Sequence, residues 1–371
     1  MTKHNNVHLP GPHKTGTTAL QAFIYDLHYR NKAIFAEDNL RIPQYDELPG
    51  VFAKEGVMLN LPHCSLDKYK NSGGQMNAGM CDRMRYRFPQ FMHEAYNKSE
   101  DVLFVAEDFD RIAIDNDRLR FYLIPYKKVK VIVHYRRLHD WLPSFYNQIV
   151  QHYNLIYARA IEEYPSFVDW LIEHYDEFLD AHAIAVADRY RRQRYVTEVD
   201  IINMHEVAST SNLIEYFFCS ELKANSTCRA IHDGAKPSKS NIGSDHDYER
   251  LAIKASLAKK IDTVLDRPVL LARATTGLKK KVDRINADET LPRICPPKEL
   301  LDRILQTEIE QERKFFPSWF QSQGGEEALR ASFEAAVKKK FCSLDDKKIL
   351  SSGVLDKVFQ EFVGDSKEWV L

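Results

Sequence analysis

Val7-His8-Leu9-Pro10-Gly11-Pro12-His13-Lys14-Thr15-Gly16-Thr17-Thr18-Ala19-Leu20-Gln21 is the stretch on which the reading of this chain turns. The apolar run Val7 to Leu9 predicts a strand. The Pro and Gly residues after it predict a turn, and Thr17 to Tyr29 predicts an amphipathic helix. A strand, a loop and a helix start in that order make a cradle for phosphate. Backbone N–H groups at the helix N-terminus face an anion, and the helix dipole favours negative charge there. Gly16 allows a close backbone approach. Lys14 adds a point charge, and Thr15, Thr17 and Thr18 add hydroxyl donors.

The order of residues narrows the chemistry. The nucleoside-triphosphatase loop reads G-x-x-x-x-G-K-[ST], with Lys directly after the second Gly. Gly11 and Gly16 have that spacing, but Thr17 follows Gly16 and Lys14 lies inside the loop. A Mg²⁺-dependent ATPase is therefore disfavoured. Pro12-His13-Lys14-Thr15-Gly16-Thr17-Thr18 instead resembles the 5′-phosphosulfate loop of sulfotransferases that use 3′-phosphoadenosine 5′-phosphosulfate (PAPS). That loop reads P-K-[TS]-G-T-[TS], often followed by Leu-Gln. Here His13 is inserted before Lys14, and Leu20-Gln21 match the ending.

A second segment agrees with the first. Val129 to His134 predicts a buried, β-branched strand. Arg136 follows that strand, and Ser144 lies eight residues later inside the next predicted helix. This pair resembles the 3′-phosphate motif of the same family, in which Arg and Ser converge on one phosphate. Arg offers a planar fork for a dianion, and Ser adds a short hydroxyl donor. The S-x-Y-x-Q pattern of Ser144, Tyr146 and Gln148 also resembles a branch of the family.

The resemblance implies in-line transfer of a sulfuryl group to a hydroxyl or amine, with 3′-phosphoadenosine 5′-phosphate (PAP) as product and no metal. Lys14 would stabilise the leaving phosphate oxygen. His13, Lys14, Thr15, Gly16, Thr17, Thr18, Arg136 and Ser144 would hold the donor. A positioned base would contribute on the order of 10²–10⁴-fold. Glu107 is the first candidate, because related enzymes carry a Glu after the corresponding strand, commonly as Ser-Ser-Glu. Val105-Ala106 stand here in place of the two Ser. Glu107 also fits as an N-terminal helix charge. His63, in Asn60-Leu61-Pro62-His63-Cys64, is the second candidate base. His134 reads as a structural strand residue. Lys236 to Asn241 resembles a segment beside the cofactor or acceptor, and reads equally as a solvated loop. The basic run Arg189 to Tyr195 reads as a solvated helix face.

Composition limits the alternatives. The chain has 371 residues, 44% of them hydrophobic and 28% charged, with a net charge of −1. This is ordinary for a globular protein and does not favour nucleic acid as a partner. No run approaches the ~18–20 apolar residues of a membrane span, and no signal peptide is apparent. A cytoplasmic protein is expected, with the Golgi lumen as the alternative for a trimmed chain. The partner is a small-molecule or carbohydrate acceptor; the oligomeric state is left open. The six Cys form no C-x-x-C, so zinc and thioredoxin-like readings lack support. Cys64 with Cys81, or Cys219 with Cys228, would pair in an oxidising compartment; free, buried thiols are the expectation. The sequons Asn97-Lys98-Ser99 and Asn225-Ser226-Thr227 would matter only in a secreted chain.

Strands are expected at Val7–Leu9, Asp101–Ala106, Val129–His134 and Val199–Asn203, alternating with helices. That alternation predicts an α/β fold: a central parallel sheet flanked by helices, P-loop NTPase-like, with a helix-rich C-terminal part. Residues 40–80 read as an irregular insertion that shapes an acceptor pocket. Residues 223–245 read as a loop. The expected division is an α/β domain over 1–320 and a helical appendage over 321–371. Two other functions fit less of the pattern: a P-loop-type small-molecule kinase, and a non-catalytic nucleotide binder.

Overall fold

The computed structural model describes residues 6–11, 17–30, 33–43, 48, 78–105, 123–156, 165–235, 246–258, 260, 268–285 and 288–359. The chain divides into two compact units, residues 1–137 with 176–241, and residues 138–175 with 242–371. The expected boundary at 320 falls inside a helix, Pro317–Ser322, and residues 321–371 belong to the second unit.

Unit 1 begins with β1 (Asn6–Gly11), α1 (Thr17–Arg30), α2 (Ile34–Glu37), β2 (Leu40–Arg41), α3 (Ala78–Lys98), β3 (Asp101–Leu103) and β4 (Lys128–Tyr135). The chain leaves it through α4 (Leu138–Ile156) and returns within α5 (Phe167–Ala181). It then adds α6 (Ala183–Arg191), β5 (Glu198–Asn203), α7 (Met204–Thr210), α8 (Leu213–Glu215) with a π-helical continuation Tyr216–Glu221, and α9 (Asn225–His232).

The five strands form one sheet in the order β2-β3-β1-β4-β5, with every pair parallel. The parallel sheet of the expected α/β class is therefore present, within a chain that is mostly helical. β4 is an interior strand, between β1 and β5. Val129, Val131, Ile132 and Val133 are buried on both faces, and β-branched side chains suit such a strand. On α1, Leu20, Phe23, Ile24 and Leu27 repeat at helical spacing and are buried, with Phe23 5.4 Å from the Phe218 ring. Phe88 and Phe91 of α3 pack on Phe104, just past β3.

Two sequence expectations change here. Residues 40–80 were expected to be irregular, yet Leu40 and Arg41 pair with Asp101 and Val102 as the edge strand β2. Two residues are too few to show a strand period. Their entry depends on Asn39, at φ 58, whose carbonyl accepts from Asp101 N–H at 2.9 Å. Residues 44–47 and 49–77 lie outside the described residues. Residues 223–245 were expected to be a loop, yet α9 occupies Asn225–His232. Its N-terminus is capped by a carboxylate 188 residues away. Asp38 Oδ1 accepts from Ser226 N–H at 2.7 Å, and Oδ2 accepts from Thr227 N–H at 2.8 Å and Thr227 Oγ1 at 2.7 Å. A cap supplied by tertiary structure leaves no local sequence signature.

A charged cluster closes one side of the sheet. Lys130, 8% exposed, reaches Glu198 at 2.8 Å, Asp200 at 2.5 Å and Glu221. Burial disfavours its charge, but hydrogen bonds to Asp200, Glu198 and Glu221 outweigh that and hold its pKa above the ordinary lysine value. Burial raises the Glu198 carboxyl, and hydrogen bonds from Lys128 and Lys130 overcome it and bring the pKa down to about 2.

Unit 2 contains α4 and most of α5, then α10 (His246–Leu257), α11 (Pro268–Arg284), a 3₁₀ turn (Asp288–Thr290), β6 (Arg293–Ile294), α12 (Lys298–Phe315) and α13 (Pro317–Ser322). It ends with α14 (Gly325–Ala336), a π-helical turn (Val337–Phe341), β7 (Ser343–Leu344) and α15 (Asp346–Ser352). Its core is aromatic: Trp141 stacks on Phe145 at 4.5 Å, and Trp170 meets Tyr146 at 5.3 Å. Arg250 is fully buried and forks onto Asp346 at 2.6 and 3.3 Å, with further bonds to Asp247 and to the Leu344 carbonyl.

The expectation of free thiols is corrected. Cys219 is bonded to Cys228 in unit 1, and Cys295 to Cys342 in unit 2, with Cα–Cα distances of 5.1 and 4.2 Å. The second pair, 47 residues apart, was not anticipated; the antiparallel pairing of β6 with β7 brings its partners together. Cys64 and the Cys81 side chain lie outside the described residues.

Candidate functional site

At the carboxyl edge of the unit 1 sheet lie the start of α1 and Arg136. β1 ends at Gly11, paired with Val133 of β4. β4 runs two residues further, to Tyr135, and Arg136 follows it. α1 starts at Thr17, so residues 12–16 span from the end of β1 to a helix N-terminus. That helix carries no acidic residue in its first turn to compete with an anion. Open α/β sheets bind ligands at this edge, where neighbouring connections diverge. Here the chain proceeds from β1 to β2 and β3 on one side and to β4 and β5 on the other.

Arg136 is held by its backbone. His182, fully buried at the start of α6, donates from Nε2 to the Arg136 carbonyl at 2.9 Å. Burial lowers the His182 pKa to about 4, against the opposing effect of that bond, so the ring is neutral at physiological pH. The Tyr135 ring meets it edge-on at 5.4 Å. The next amide is fixed as well. Arg137 N–H donates to His205 Nε2 at 3.2 Å, while His205 N–H donates to Asn203 Oδ1, the cap of α7. Two imidazoles thus clamp the peptide on both sides of the Arg136–Arg137 link. Sequence reasoning missed both, since they lie 46 and 68 residues away. Only the N-cap pattern Asn203-Met204-His205 marks the second locally.

Gln21, the end of the first motif, has a physical task. It is buried on α1, and its Nε2 donates to the Val105 carbonyl at 3.2 Å. β3 pairs with β1 at Val7↔Val102 and His8↔Leu103. Gln21 therefore secures the chain two residues before Glu107, on the side of β1 opposite to Arg136.

The remaining candidates divide as follows. His13, Lys14, Thr15, Gly16, His63 and Glu107 lie outside the described residues, as do Lys236 to Asn241. Thr17 and Thr18 begin α1, and only their backbone is described. Ser144 is half-buried on α4 in unit 2, whereas Arg136 belongs to unit 1. Tyr146 is a packing residue: its hydroxyl donates to the Pro165 carbonyl at 2.8 Å, and burial raises its pKa. His134 is fully buried, edge-on to Phe217 at 6.2 Å. In the basic run, Arg191 pairs with Asp188 at 2.7 Å and Arg192 Nε donates to the Asp188 carbonyl at 3.1 Å, as a solvated helix face would.

Two other clusters carry no chemistry of their own. Cys219, Cys228 and His232 bring ligand atoms within 4.8 Å of one another, but the two sulfurs are bonded to each other. Ser332 Oγ lies 3.4 Å from His139 Nε2, and His139 Nδ1 lies 2.7 Å from Glu308 Oε1 without hydrogen-bond alignment. Ser332 sits inside α14, where backbone N–H groups serve the helix and cannot form an oxyanion hole.

No protein-family model matches the chain, and no curated protein or solved structure matches it.

Proposed function

We propose that the protein is a PAPS-dependent sulfotransferase acting on a hydroxyl or amine of a carbohydrate or small-molecule acceptor. The observation that carries this reading is the carboxyl edge of the unit 1 sheet. The central strand β1 leads through residues 12–16 into a helix N-terminus, between β3, which leads to Glu107, and β4, which leads to Arg136. In this reading, Lys14 with the N–H groups at the start of α1 holds the 5′-phosphate of the donor, together with His13, Thr15, Gly16, Thr17 and Thr18. Arg136 holds the 3′-phosphate. PAPS supplies the sulfuryl group. Lys14 meets the charge that grows on the leaving oxygen, and Glu107 or His63 takes the acceptor's proton. The clamp on Arg136 supports it, since a guanidinium on a fixed backbone is pre-organised for a dianion. The P-loop NTPase-like description of the sheet belongs to the same proposal. The disulfides favour the lumenal location over the cytoplasmic one.

Calorimetric titration with PAP and with ATP·Mg²⁺, on the wild type and on Arg136→Ala, tests the reading. PAP is expected to bind in preference to ATP·Mg²⁺. Arg136→Ala is expected to weaken PAP by roughly 10–100-fold, the value of a charge-assisted bond. ATP·Mg²⁺ binding without preference for PAP would refute the proposal and favour the kinase.

A further inference from the structure

We infer that the chain matures in an oxidising secretory compartment and carries N-linked glycans on Asn97 and Asn225. This goes beyond the proposed activity and does not depend on it. The first support is the pair of disulfides, Cys219–Cys228 and Cys295–Cys342. Such bonds persist where thiols are kept oxidised. Each forms as two thiols lose two protons and two electrons to a disulfide oxidant, which is itself reduced to a dithiol.

In that compartment the sequence N-x-[ST], with x other than Pro, is an acceptor for a glycan. The chain has two such sites, Asn97-Lys98-Ser99 and Asn225-Ser226-Thr227. A glycan is bulky and hydrophilic, so its Asn must face solvent in the folded protein. Both do. Asn97 is exposed in the last turn of α3, with Lys98 exposed beside it, and the chain reverses at Ser99. The Asn97 carboxamide touches only its surface neighbour His93 among the described residues, at 3.0 Å. Asn225 is exposed as the first residue of α9. Folding accounts for Thr227, whose hydroxyl binds Asp38, whereas the Asn225 side chain is exposed.

Thr227 also sets the timing. It is 0% exposed, with N–H and hydroxyl both given to Asp38. The Asn225 site is therefore readable only before that contact closes, on the entering chain. In the transfer, the bond from Asn Nδ2 to sugar C1 forms while C1–O of a lipid-pyrophosphate-linked oligosaccharide breaks. The pyrophosphate leaves with the electron pair, and the amide loses one proton to a base.

The test uses the endogenous protein, immunopurified from the cells that make it after alkylation of free thiols during lysis. It is treated with a peptide N-glycosidase, which converts glycosylated Asn to Asp, and mapped by mass spectrometry. Conversion is expected at Asn97 and Asn225 but not at Asn39 or Asn212, which lie outside sequons. Each site is expected to add its own mobility shift, lost in Ser99→Ala for the first and Asn225→Gln for the second. Thr227→Ser, which retains both the sequon and a hydroxyl for Asp38, is expected to keep the Asn225 shift. Unconverted Asn at either position overturns the assignment of that site. Alkylation of Cys219 and Cys228 before any reduction overturns the compartment itself.

Discussion

The His182 clamp makes stability depend on pH in a defined window. The imidazole is buried, with its pKa lowered from 6.5 to about 4 by desolvation. The native state therefore resists a proton that the unfolded chain accepts. Above pH 6.5 neither state holds it, and the neutral ring contributes its full stability. As pH falls from 6.5 towards 4, the unfolded state gains the proton first, so stability falls with a limiting slope of about 1.4 kcal/mol per pH unit. Below about 4 the native ring is charged too, and the loss levels off. Across the window the loss amounts to about 3 kcal/mol, the shift multiplied by that slope. His182→Gln removes the titration and retains a donor for the Arg136 carbonyl. Urea denaturation followed by circular dichroism from pH 7.5 to 4, for both proteins, isolates the effect, because other titrating groups are common to both. The wild type is expected to lose about 3 kcal/mol more than the variant over this range. Parallel stability curves would refute the argument that His182 is buried neutral.

Three further outcomes follow from named contacts. Arg250→Met, which removes the buried fork and leaves Asp346 only the longer contact to Lys254 Nζ at 3.5 Å, is expected to cost about 3 kcal/mol in urea denaturation, and adding Asp346→Leu is expected to restore much of it; an unchanged midpoint for the single variant would contradict the buried pair. Asp38→Ala removes the cap of α9 and is expected to cost about 1–2 kcal/mol in the same assay, with Asp38→Asn less damaging because its amide oxygen still accepts. Removing Cys295–Cys342 by paired Ser substitutions is expected to cost about 4 kcal/mol and removing Cys219–Cys228 about 3 kcal/mol, from the entropy of closing the longer and shorter loops, read as shifts in the denaturation midpoint.

Short-range periodicity made much of unit 1 legible in the amino-acid sequence. The β-branched run at Val129–His134 and the helical spacing of Leu20, Phe23, Ile24 and Leu27 are local patterns, and they appear as β4 and α1. The turn expected at Pro10 and Gly11 is not there: β1 continues through both residues, which pair with Ile132 and Val133 of β4. The position of Arg136 past a strand end was also visible. Everything that depends on residues far apart in the chain was not. The edge strand β2, the Asp38 cap that stabilises α9, the disulfide across 47 residues and the two imidazoles on the Arg136–Arg137 peptide each join separate segments. Their energetics come from desolvation and from hydrogen bonds between groups that no local window contains. Composition and periodicity thus determined the kinds of element and the class of sheet. Tertiary structure decided which carboxylate caps which helix, which thiols meet, and how firmly the backbone of Arg136 is held.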